Sequence, residues 1–205
     1  MEVRIYERRI NMLKDFITTI RILIVLTVIT GFMYPIFITV SAKALFGEKT
    51  DGSLIYSDNK EGRGSELIGQ KFVSARYFWS RPSAVDYNLP SGGSNLGPTS
   101  ASLERVFNER KADILKAHGY ETAESSVEVP LELLFASASG VDPHISPDGA
   151  KFQIDRVARA RRFDVPKKKQ LAQLVENSIE YPQFGFLGEA AVNVLKLNIA
   201  LDKIK

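Results

Sequence analysis

The strongest hydrophobic pattern in the chain is one long apolar run near its N-terminus. No charged side chain occurs between Arg21 and Lys43, and the run is rich in Ile, Leu, Val, Phe and Thr. About 21 residues at roughly 1.5 Å each match the roughly 30 Å hydrocarbon core of a bilayer. A helix is required there because lipid offers the backbone no hydrogen bonds. The run therefore predicts a transmembrane helix at residues 22–42, which Pro35 is expected to bend.

The charges that flank this run predict its direction. Basic residues crowd the short tail before it more densely than the segment after it, so the positive-inside bias places residues 1–21 in the cytoplasm and the remainder outside. A cleaved signal peptide is the alternative, since Ala42-Lys43-Ala44 has the small-x-small form that signal peptidase accepts. The apolar run exceeds the roughly 7–15 residues usual in such a peptide, which favours a retained anchor.

Two stretches downstream interrupt the hydrophobic pattern. From Phe46 to Gly64 the chain is rich in Gly, Asp, Lys and Ser without lasting periodicity. Residues 43–66 are therefore predicted as a juxtamembrane linker, and residues 67–205 as one compact extracytoplasmic domain. The second interruption spans Pro90 to Pro98. Its residues 91–98 read Ser-Gly-Gly-Ser-Asn-Leu-Gly-Pro and are predicted to be irregular because of the glycines and the closing proline.

Three stretches carry helical signals. The first helix is capped by Thr99 or Ser100, runs through Ala117 and is expected to end at Gly119. Ser146-Pro147 starts the second, which Val165-Pro166 breaks. Its inward residues are Phe152 or Ile154, Val157 and Ala158, and its outward residues are Asp155, Arg156, Arg159 and Arg162. The third is a short helix marked by Leu171, Leu174, Val175 and Ile179.

Two further stretches favour strands. Apolar and other residues alternate from Leu195 to Leu201, which is the period of a half-buried strand. The region from Phe72 to Phe78 is a second strand candidate, and a short apolar segment from Leu131 to Ala138 stops at a predicted turn. The predicted fold class is α+β: one N-terminal transmembrane helix followed by a single compact, mixed α/β soluble domain.

Composition narrows the classes of function. The chain of 205 residues has a formal net charge of only +3, which is weak support for nucleic acid as a partner. The absence of cysteine excludes disulfides, cysteine-ligated zinc and cysteine nucleophiles. Only His118 and His144 are present, so the supply of residues for acid and base chemistry is thin.

The segment around His144 is the richest in candidate chemistry. Asp142, His144 and Asp148 could suggest a metal site, but zinc would lack a second nitrogen or sulfur ligand. A serine hydrolase would need a converging triad, and no Gly-x-Ser-x-Gly motif occurs. A rigid corner is the favoured reading, in which prolines fix the backbone, Asp142 bonds turn amides and Ser146 caps the next helix.

A glycine-rich stretch ahead of a helix also suggests a phosphate-binding loop, with Ser91, Gly92, Gly93, Ser94 and Asn95 as candidate residues. The spacing does not fit Gly-x-x-x-x-Gly-Lys-Ser/Thr, and no lysine lies inside the loop. A loop that docks a protein partner is at least as well supported.

One basic concentration and one aromatic cluster remain. Arg156, Arg159, Arg161 and Arg162, followed by Lys167-Lys168-Lys169, form either a solvated helix face or a surface for anionic lipid or an acidic partner. Tyr77-Phe78-Trp79 with Arg81-Pro82 forms either a docking edge or part of the core.

Several strings of residues, in order along the chain, resemble the C subunit family of the Kdp potassium pump. They are LIGQKF (67–72), YFWSRPSA (77–84), SGGSNLGP (91–98), SGVDPHISP (139–147), Gln153 with RVARAR (156–161), and Gly188 with VNVL (192–195) through Asp202. The resemblance covers essentially the whole chain. Departures from the family pattern are Val141, where leucine is common, the charged stretch at Lys167–Lys169 and a long N-terminal tail.

The resemblance implies a non-catalytic accessory subunit that assembles and stabilises an ATP-driven potassium-uptake complex in the cell membrane. Its implied partners are a channel-like potassium-selecting subunit, a P-type ATPase subunit and a small single-span subunit. The family also has a proposed role as a catalytic chaperone that raises the affinity of the ATPase subunit for ATP. Direct ATP contact by a nucleotide-binding regulator is the alternative, but the predicted orientation places the domain away from cytoplasmic ATP. Candidate docking residues are Arg81, Asn95, Asp142, His144, Ser146 and Arg156.

Overall fold

The computed structural model describes residues 2–56, 62–120 and 127–204, with side chains described from residue 12 onward. The chain divides into two compact units, Met1–Ser53 and Leu54–Lys205. The first unit is helical, and the second contains both helices and small antiparallel sheets.

A long apolar helix forms the first unit. It consists of α1 (Glu2–Val28), a π-helical turn (Ile29–Met33) and α2 (Tyr34–Phe46), and a 3₁₀ helix (Gly47–Asp51) follows. Its apolar part has a mean hydropathy of 2.3, and none of that part is buried inside the protein. The predicted apolar helix is therefore confirmed, and it continues beyond residues 22–42 at both ends.

Pro35 lies in the first turn of α2, directly after the π-helical turn. Proline has no N–H, and its ring collides with the carbonyl four residues earlier, which here belongs to Gly31 inside the π-helical turn. A wider turn relieves this collision. The helix is thus locally widened just before Pro35, and the bend expected there stays a prediction.

The second unit begins with a hairpin of β1 (Leu54–Tyr56) and β2 (Gly62–Ser65), which pair antiparallel. Regular structure therefore occurs inside the segment that was predicted as a linker, and the compact unit starts before residue 67. Helix α3 (Ala101–His118) follows the irregular stretch. The Ser100 hydroxyl accepts a hydrogen bond from the N–H of Leu103, and Gly119 ends the helix in the left-handed conformation, as the sequence predicted.

The remaining elements pack around a small sheet of order β3–β5–β4, in which both pairings are antiparallel. In chain order they are a 3₁₀ helix (Leu131–Leu133), β3 (His144–Ile145), α4 (Pro147–Arg161), α5 (Val165–Asn177), β4 (Ile179–Glu180), β5 (Ala191–Asn193) and α6 (Val194–Leu201). The predicted start at Ser146-Pro147 is confirmed. Pro166, however, lies in the first turn of α5, and α4 ends because Arg162 adopts a left-handed backbone.

The strand predicted at Leu195–Leu201 is wrong, because this segment is helix α6. The side chain of Asn193 accepts a hydrogen bond from the N–H of Lys196 and so caps the helix. Buried side chains recur with helical spacing, at Val194, Leu197, Asn198 and Leu201. The spacing of leucine and isoleucine in this segment fits both the two-residue period of a strand and the 3.6-residue period of a helix. The Asn193 cap favours the helix.

The strand predicted at Phe72–Phe78 is also wrong, since this segment has no strand pairing. Phe78 is nevertheless fully buried, and Phe72 packs against the core. The core lies between α3–α6 and the three-stranded sheet, with Leu171, Val192 and Leu197 among its fully buried members. Helices α4 and α5 pack together, and α4 also packs on α3.

Candidate functional site

The corner predicted around Asp142 is held by direct hydrogen bonds. One carboxylate oxygen of Asp142 accepts the N–H of His144 at 3.0 Å, and the other accepts from Nη1 of Arg81 at 3.0 Å. The carbonyl of Pro143 accepts the N–H of Val194 at 3.0 Å, which joins the corner to the start of α6. These contacts support the rigid-corner reading of the Asp-Pro-His string, and they bring three of the candidate residues together.

The corner continues into a line of alternating charges. His144 Nδ1 lies 3.7 Å from Asp142, and His144 Nε2 lies 4.0 Å from Glu180. Lys196 Nζ lies 3.3 Å from Glu180 and 2.7 Å from Glu66. We refer to these side chains as the charged row; its members are Arg81, Asp142, His144, Glu180, Lys196 and Glu66. The row ties together segments that are far apart in the sequence.

Contacts within the charged row shift the pKa values of three of its members, Asp142, His144 and Lys196. The neighbouring Asp142 carboxylate raises the pKa of His144 despite partial burial. The His144 side chain and backbone N–H in turn hold the pKa of Asp142 below its usual range, with help from Arg81. A hydrogen bond with Glu66 raises the pKa of Lys196. Each group is thus stabilised in its charged form, as a partly exposed ion-pair surface requires.

Ser146 is engaged inside the fold. Its hydroxyl accepts the N–H of Gly149 at 3.0 Å and donates to Glu132 at 2.7 Å, while its own N–H also donates to Glu132 at 2.9 Å. The predicted cap is confirmed, and Glu132 completes it. A Cβ at Gly149 would lie 1.9 Å from the Glu132 carboxylate, which explains the glycine at this position. The hydroxyl is thus used to start α4.

Arg156, predicted to face outward, is 1% exposed, and this prediction is wrong. Its Nη1 donates to the carbonyls of Ala75 and Tyr77 at 2.7 and 3.0 Å. Its Nη2 donates to Gln153 at 2.6 Å, and its guanidinium lies 3.9 Å from the centre of the Trp79 ring. Burial lowers its pKa to about 10. Arg156 therefore acts as an internal brace and presents no docking surface.

Two buried amides act with Arg156 on the same irregular segment. Asn198 accepts the N–H of Phe78 at 2.8 Å and donates to its carbonyl at 2.9 Å. Gln153 does the same for Trp79, at 2.7 and 3.2 Å. Each side-chain amide thus bonds both the N–H and the carbonyl of one backbone residue, as a neighbouring β-strand would do. This explains how a segment without a sheet partner satisfies its buried polar groups.

The other basic residues do not form one face. Arg159 donates to the carbonyl of His118 at 2.7 Å, and Arg161 lies 2.6 Å from Asp202. Lys168 is exposed and lies 2.8 Å from Asp155. The hypothesis of a continuous basic surface is therefore not supported by the geometry.

The aromatic cluster belongs mainly to the core. Phe78 is completely buried, and Trp79 is partly buried, where it packs against the core and under the guanidinium of Arg156. The hydroxyl of Tyr77 donates to Asp202 at 3.2 Å. The core alternative is thus favoured over a docking edge.

The glycine-rich loop packs against the segment that precedes the corner. The N–H of Gly92 donates to Ser139 at 2.7 Å, and a Cβ at Gly93 would lie 3.1 Å from the carbonyl oxygen of Ala138. Helix α3 starts only at Ala101, and Ser100 already caps it. Ser91, Ser94 and Asn95 are exposed, so these side chains offer a surface to a partner, whereas the amide of Gly92 is already used.

His118 is a buried core residue. Its Nδ1–H donates to the carbonyl of Ile114 at 2.7 Å, and its ring packs 4.5 Å from Phe152. Burial lowers its pKa to about 4, so the imidazole is neutral at physiological pH. Within residues 2–56, 62–120 and 127–204, no cluster of three or more His, Asp or Glu side chains is arranged to hold a metal ion.

Sequence reasoning missed several residues that shape this surface. Glu132, Glu180 and Lys196 carry no local signal, because their partners are set by the tertiary fold. The uncharged stretch from Tyr181 to Gly188 was visible in the sequence as an aromatic run without charge, and it forms an exposed loop.

Comparisons with known proteins give one consistent family. The family described as K+-transporting ATPase, c chain (KdpC), matches residues 16–203. A potassium-transporting ATPase KdpC subunit of Leptospira interrogans is 46% identical over 184 residues, which cover 90% of this chain and 91% of the relative. The subunit of the same name from Methylococcus capsulatus is 46% identical over 198 residues, covering 95% of this chain and all of the relative. That of Geotalea uraniireducens is 42% identical over 196 residues.

Proposed function

Because the chain belongs to the KdpC family, the c chain of K+-transporting ATPases, we propose that it is a non-catalytic subunit that assembles and stabilises a potassium-uptake complex. The observation that carries this proposal is the charged row. Its carboxylates, imidazole and amine lie next to one another in alternating order, which suits a stiff surface for a protein partner. In this proposal ATP hydrolysis and potassium selection belong to the partner subunits.

The proposal includes a place in the cell membrane. The apolar helix spans the bilayer with the tail 1–21 in the cytoplasm, and the unit that begins at Leu54 lies outside the cell membrane. Support comes from the hydropathy and length of the helix, and from the basic residues ahead of it, among them Arg4, Arg8 and Arg9. Glycine and threonine on the helix, such as Gly31 and Thr27, suit packing against partner helices.

An effect on ATP affinity follows in this scheme without ATP contact. A subunit that binds one conformation of its ATPase partner more tightly shifts the partner's affinity for ATP by the same coupling free energy. Such coupling is typically about 1–3 kcal/mol, or roughly 5–150-fold in affinity. The glycine-rich loop gives little support to direct binding, because the amide of Gly92 already donates to Ser139.

Labelling of single cysteines tests the placement. The chain has no native cysteine, so Glu7→Cys and Ser94→Cys each create one reactive site. We expect a membrane-impermeant maleimide added to whole cells to label Ser94→Cys and to leave Glu7→Cys unlabelled until the cells are opened. The reverse pattern would refute the orientation, and labelled protein that washes off the membrane would refute the anchor.

Assembly and ATP affinity test the role. We expect a chain that keeps residues 1–53 but lacks the second unit to reduce both recovery of the complex and potassium uptake. Complexes that do form should need more ATP for half-maximal hydrolysis. In the intact complex, a photoreactive ATP analogue should label the ATPase partner and not this chain. Unchanged assembly and uptake after the truncation would contradict the proposal.

A further inference from the structure

An exposed aromatic loop connects β4 to β5. We define the aromatic loop as Tyr181–Gly188. Its sequence, Tyr-Pro-Gln-Phe-Gly-Phe-Leu-Gly, carries no charge. Tyr181, Phe184 and Phe186 are 70%, 85% and 74% exposed, and Leu187 is half exposed. Scattered apolar residues are normal on a protein surface, but three exposed aromatic residues within six positions suggest a contact surface.

Hydrogen bonds inside the loop hold its backbone in a turn. Gln183 and Leu187 exchange hydrogen bonds in both directions at 3.0 Å, and the N–H of Gly185 donates to Pro182 at 3.0 Å. The tip turns through Phe184 at φ +55° and Gly185 at φ +80°. Four backbone N–H groups of the loop, those of Gln183, Gly185, Phe186 and Leu187, thus stay paired if the loop enters an apolar medium.

Phe184 is not explained by folding. A left-handed backbone favours glycine or asparagine and is costly for a bulky side chain. The ring is also the most exposed in the loop, so it contributes little packing to the fold. An aromatic residue held in a strained conformation and in water points to a role outside the domain.

The base of the loop lies close to where the chain enters the second unit. Leu54, the first residue of that unit, pairs with Ser65 on β2. The next residue, Glu66, is 2.7 Å from Lys196, and Lys196 is 3.3 Å from Glu180, the residue that precedes the loop. Exposed apolar side chains flank this place, namely Leu54, Tyr56, Leu67 and Ile68.

The length of the connection restricts how far this place can lie from the apolar helix. Residues 47–53 separate the end of α2 from Leu54. Even fully extended, seven residues reach at most about 25 Å. If the helix spans a bilayer, as proposed above, a connection of this length keeps Leu54, and with it the base of the aromatic loop, within reach of lipid.

We propose that the aromatic loop is a second membrane contact, with Tyr181, Phe184 and Phe186 inserted into the headgroup region of the bilayer that holds the apolar helix. Aromatic rings favour this region because it accommodates an apolar body together with a polar edge. Lipid is a better occupant than a protein groove. Four of the loop's backbone N–H groups are bonded inside the loop, and only Tyr181 and Gln183 offer polar side chains for specific recognition. The contact fixes the domain's orientation to the membrane.

Depth-dependent fluorescence quenching of the full chain tests this proposal, which rests on the proposed membrane span. Single cysteines at Gln183, Val165 and Ile29 are labelled with an environment-sensitive dye. The protein is reconstituted in phosphatidylethanolamine and phosphatidylglycerol vesicles that contain lipids spin-labelled near the headgroup or deep in the chain. Val165 is a matched control, since it is 84% exposed and lies at the opposite end of α5, about 18 Å along the helix.

We expect the Gln183 dye to shift to shorter wavelength and to be quenched by the shallow spin label. The Val165 dye should remain unquenched, and the Ile29 dye should be quenched by the deep label. Adding Phe184→Ser and Phe186→Ser should abolish quenching at Gln183 while the far-ultraviolet circular dichroism spectrum stays unchanged.

A Gln183 dye that is unquenched while the Ile29 dye is quenched would overturn the loop contact and leave the anchor intact. Loss of quenching at both positions would refute the anchor itself. Protection of Gln183 from aqueous iodide only when the partner subunits are present would assign the loop to a protein interface and overturn the lipid proposal.

Discussion

Replacing Asn198 with leucine removes both hydrogen bonds that hold Phe78. Asn198 is 2% exposed, and Phe78 is fully buried. Leucine has a similar volume but removes the amide that accepts the N–H of Phe78 and donates to its carbonyl, and within the described residues Phe78 belongs to no strand that could replace these bonds. An unsatisfied buried polar group costs about 1–3 kcal/mol, so two such groups predict a loss of about 2–6 kcal/mol in the free energy of unfolding. This is a large share of the roughly 5–15 kcal/mol that stabilises a typical protein.

Urea unfolding of the full chain in detergent micelles measures this loss. The chain has a single tryptophan, Trp79, which follows Phe78 and therefore reports on the affected segment. Asn177→Leu is the matched control, because Asn177 is exposed at the end of α5, and it should change stability by less than about 0.5 kcal/mol. An Asn198→Leu variant as stable as this control would refute the reasoning.

Asn198→Asp gives an independent check through pH. The buried carboxyl has a raised pKa because burial disfavours its charge. Only its protonated form can both accept from and donate to Phe78, as the amide does. A group whose folded pKa is raised contributes stability below its unfolded pKa and loses it as pH rises. The deficit of Asn198→Asp relative to wild type should therefore shrink as pH falls toward 4, and a deficit that grows would contradict the assigned bonds.

Three further predictions concern other parts of the second unit. The pKa of buried His118 is lowered to about 4, so between pH 6.5 and 4 this histidine is protonated in the unfolded chain but not in the folded one. Over this range the free energy of unfolding of wild type should fall by up to about 3 kcal/mol more than that of His118→Phe, as measured by urea unfolding at each pH. A Cβ at Gly69 would lie 2.5 Å from the carbonyl oxygen of Asp142, so Gly69→Ala should cost about 1–3 kcal/mol in melting experiments, whereas Gly92→Ala meets no atom within 4 Å and should be neutral. Because the pKa of His144 is raised in the folded state, its protonation stabilises the fold below the pKa of the unfolded chain, and this stabilisation is lost as pH rises through the folded-state pKa. Asp142→Asn should lower the pKa of His144 in an NMR titration, and an unchanged pKa would disprove the pairing.

The charged row joins distant segments of the second unit in one polar surface. Its members come from the end of β2, the segment before the glycine-rich loop, the corner, β4 and α6. Individual exposed ion pairs contribute little stability, but a connected row fixes the relative positions of the groups that a partner would contact. The same row holds the base of the aromatic loop, so the two surfaces are mechanically linked.

Local signals were sufficient for several features of this protein. The apolar run predicted the long helix, because more than twenty consecutive residues without a charged side chain are typical of a membrane-spanning helix. Ser100 with Gly119, and Ser146 with Pro147, marked helix ends correctly, since a cap satisfies backbone groups within a few residues of itself. The family strings of residues also identified the family.

Only the tertiary structure decided the rest. The spacing of Leu195–Leu201 fits strand and helix alike, and the choice depends on the cap by Asn193 and on packing against distant elements. Arg156 looked exposed because a charge on a helix usually faces water, yet carbonyls of Ala75 and Tyr77, about eighty positions away in sequence, accept its hydrogen bonds. Burial of a polar group is favourable only when its partners are brought to it, and which partners arrive is a property of the whole fold.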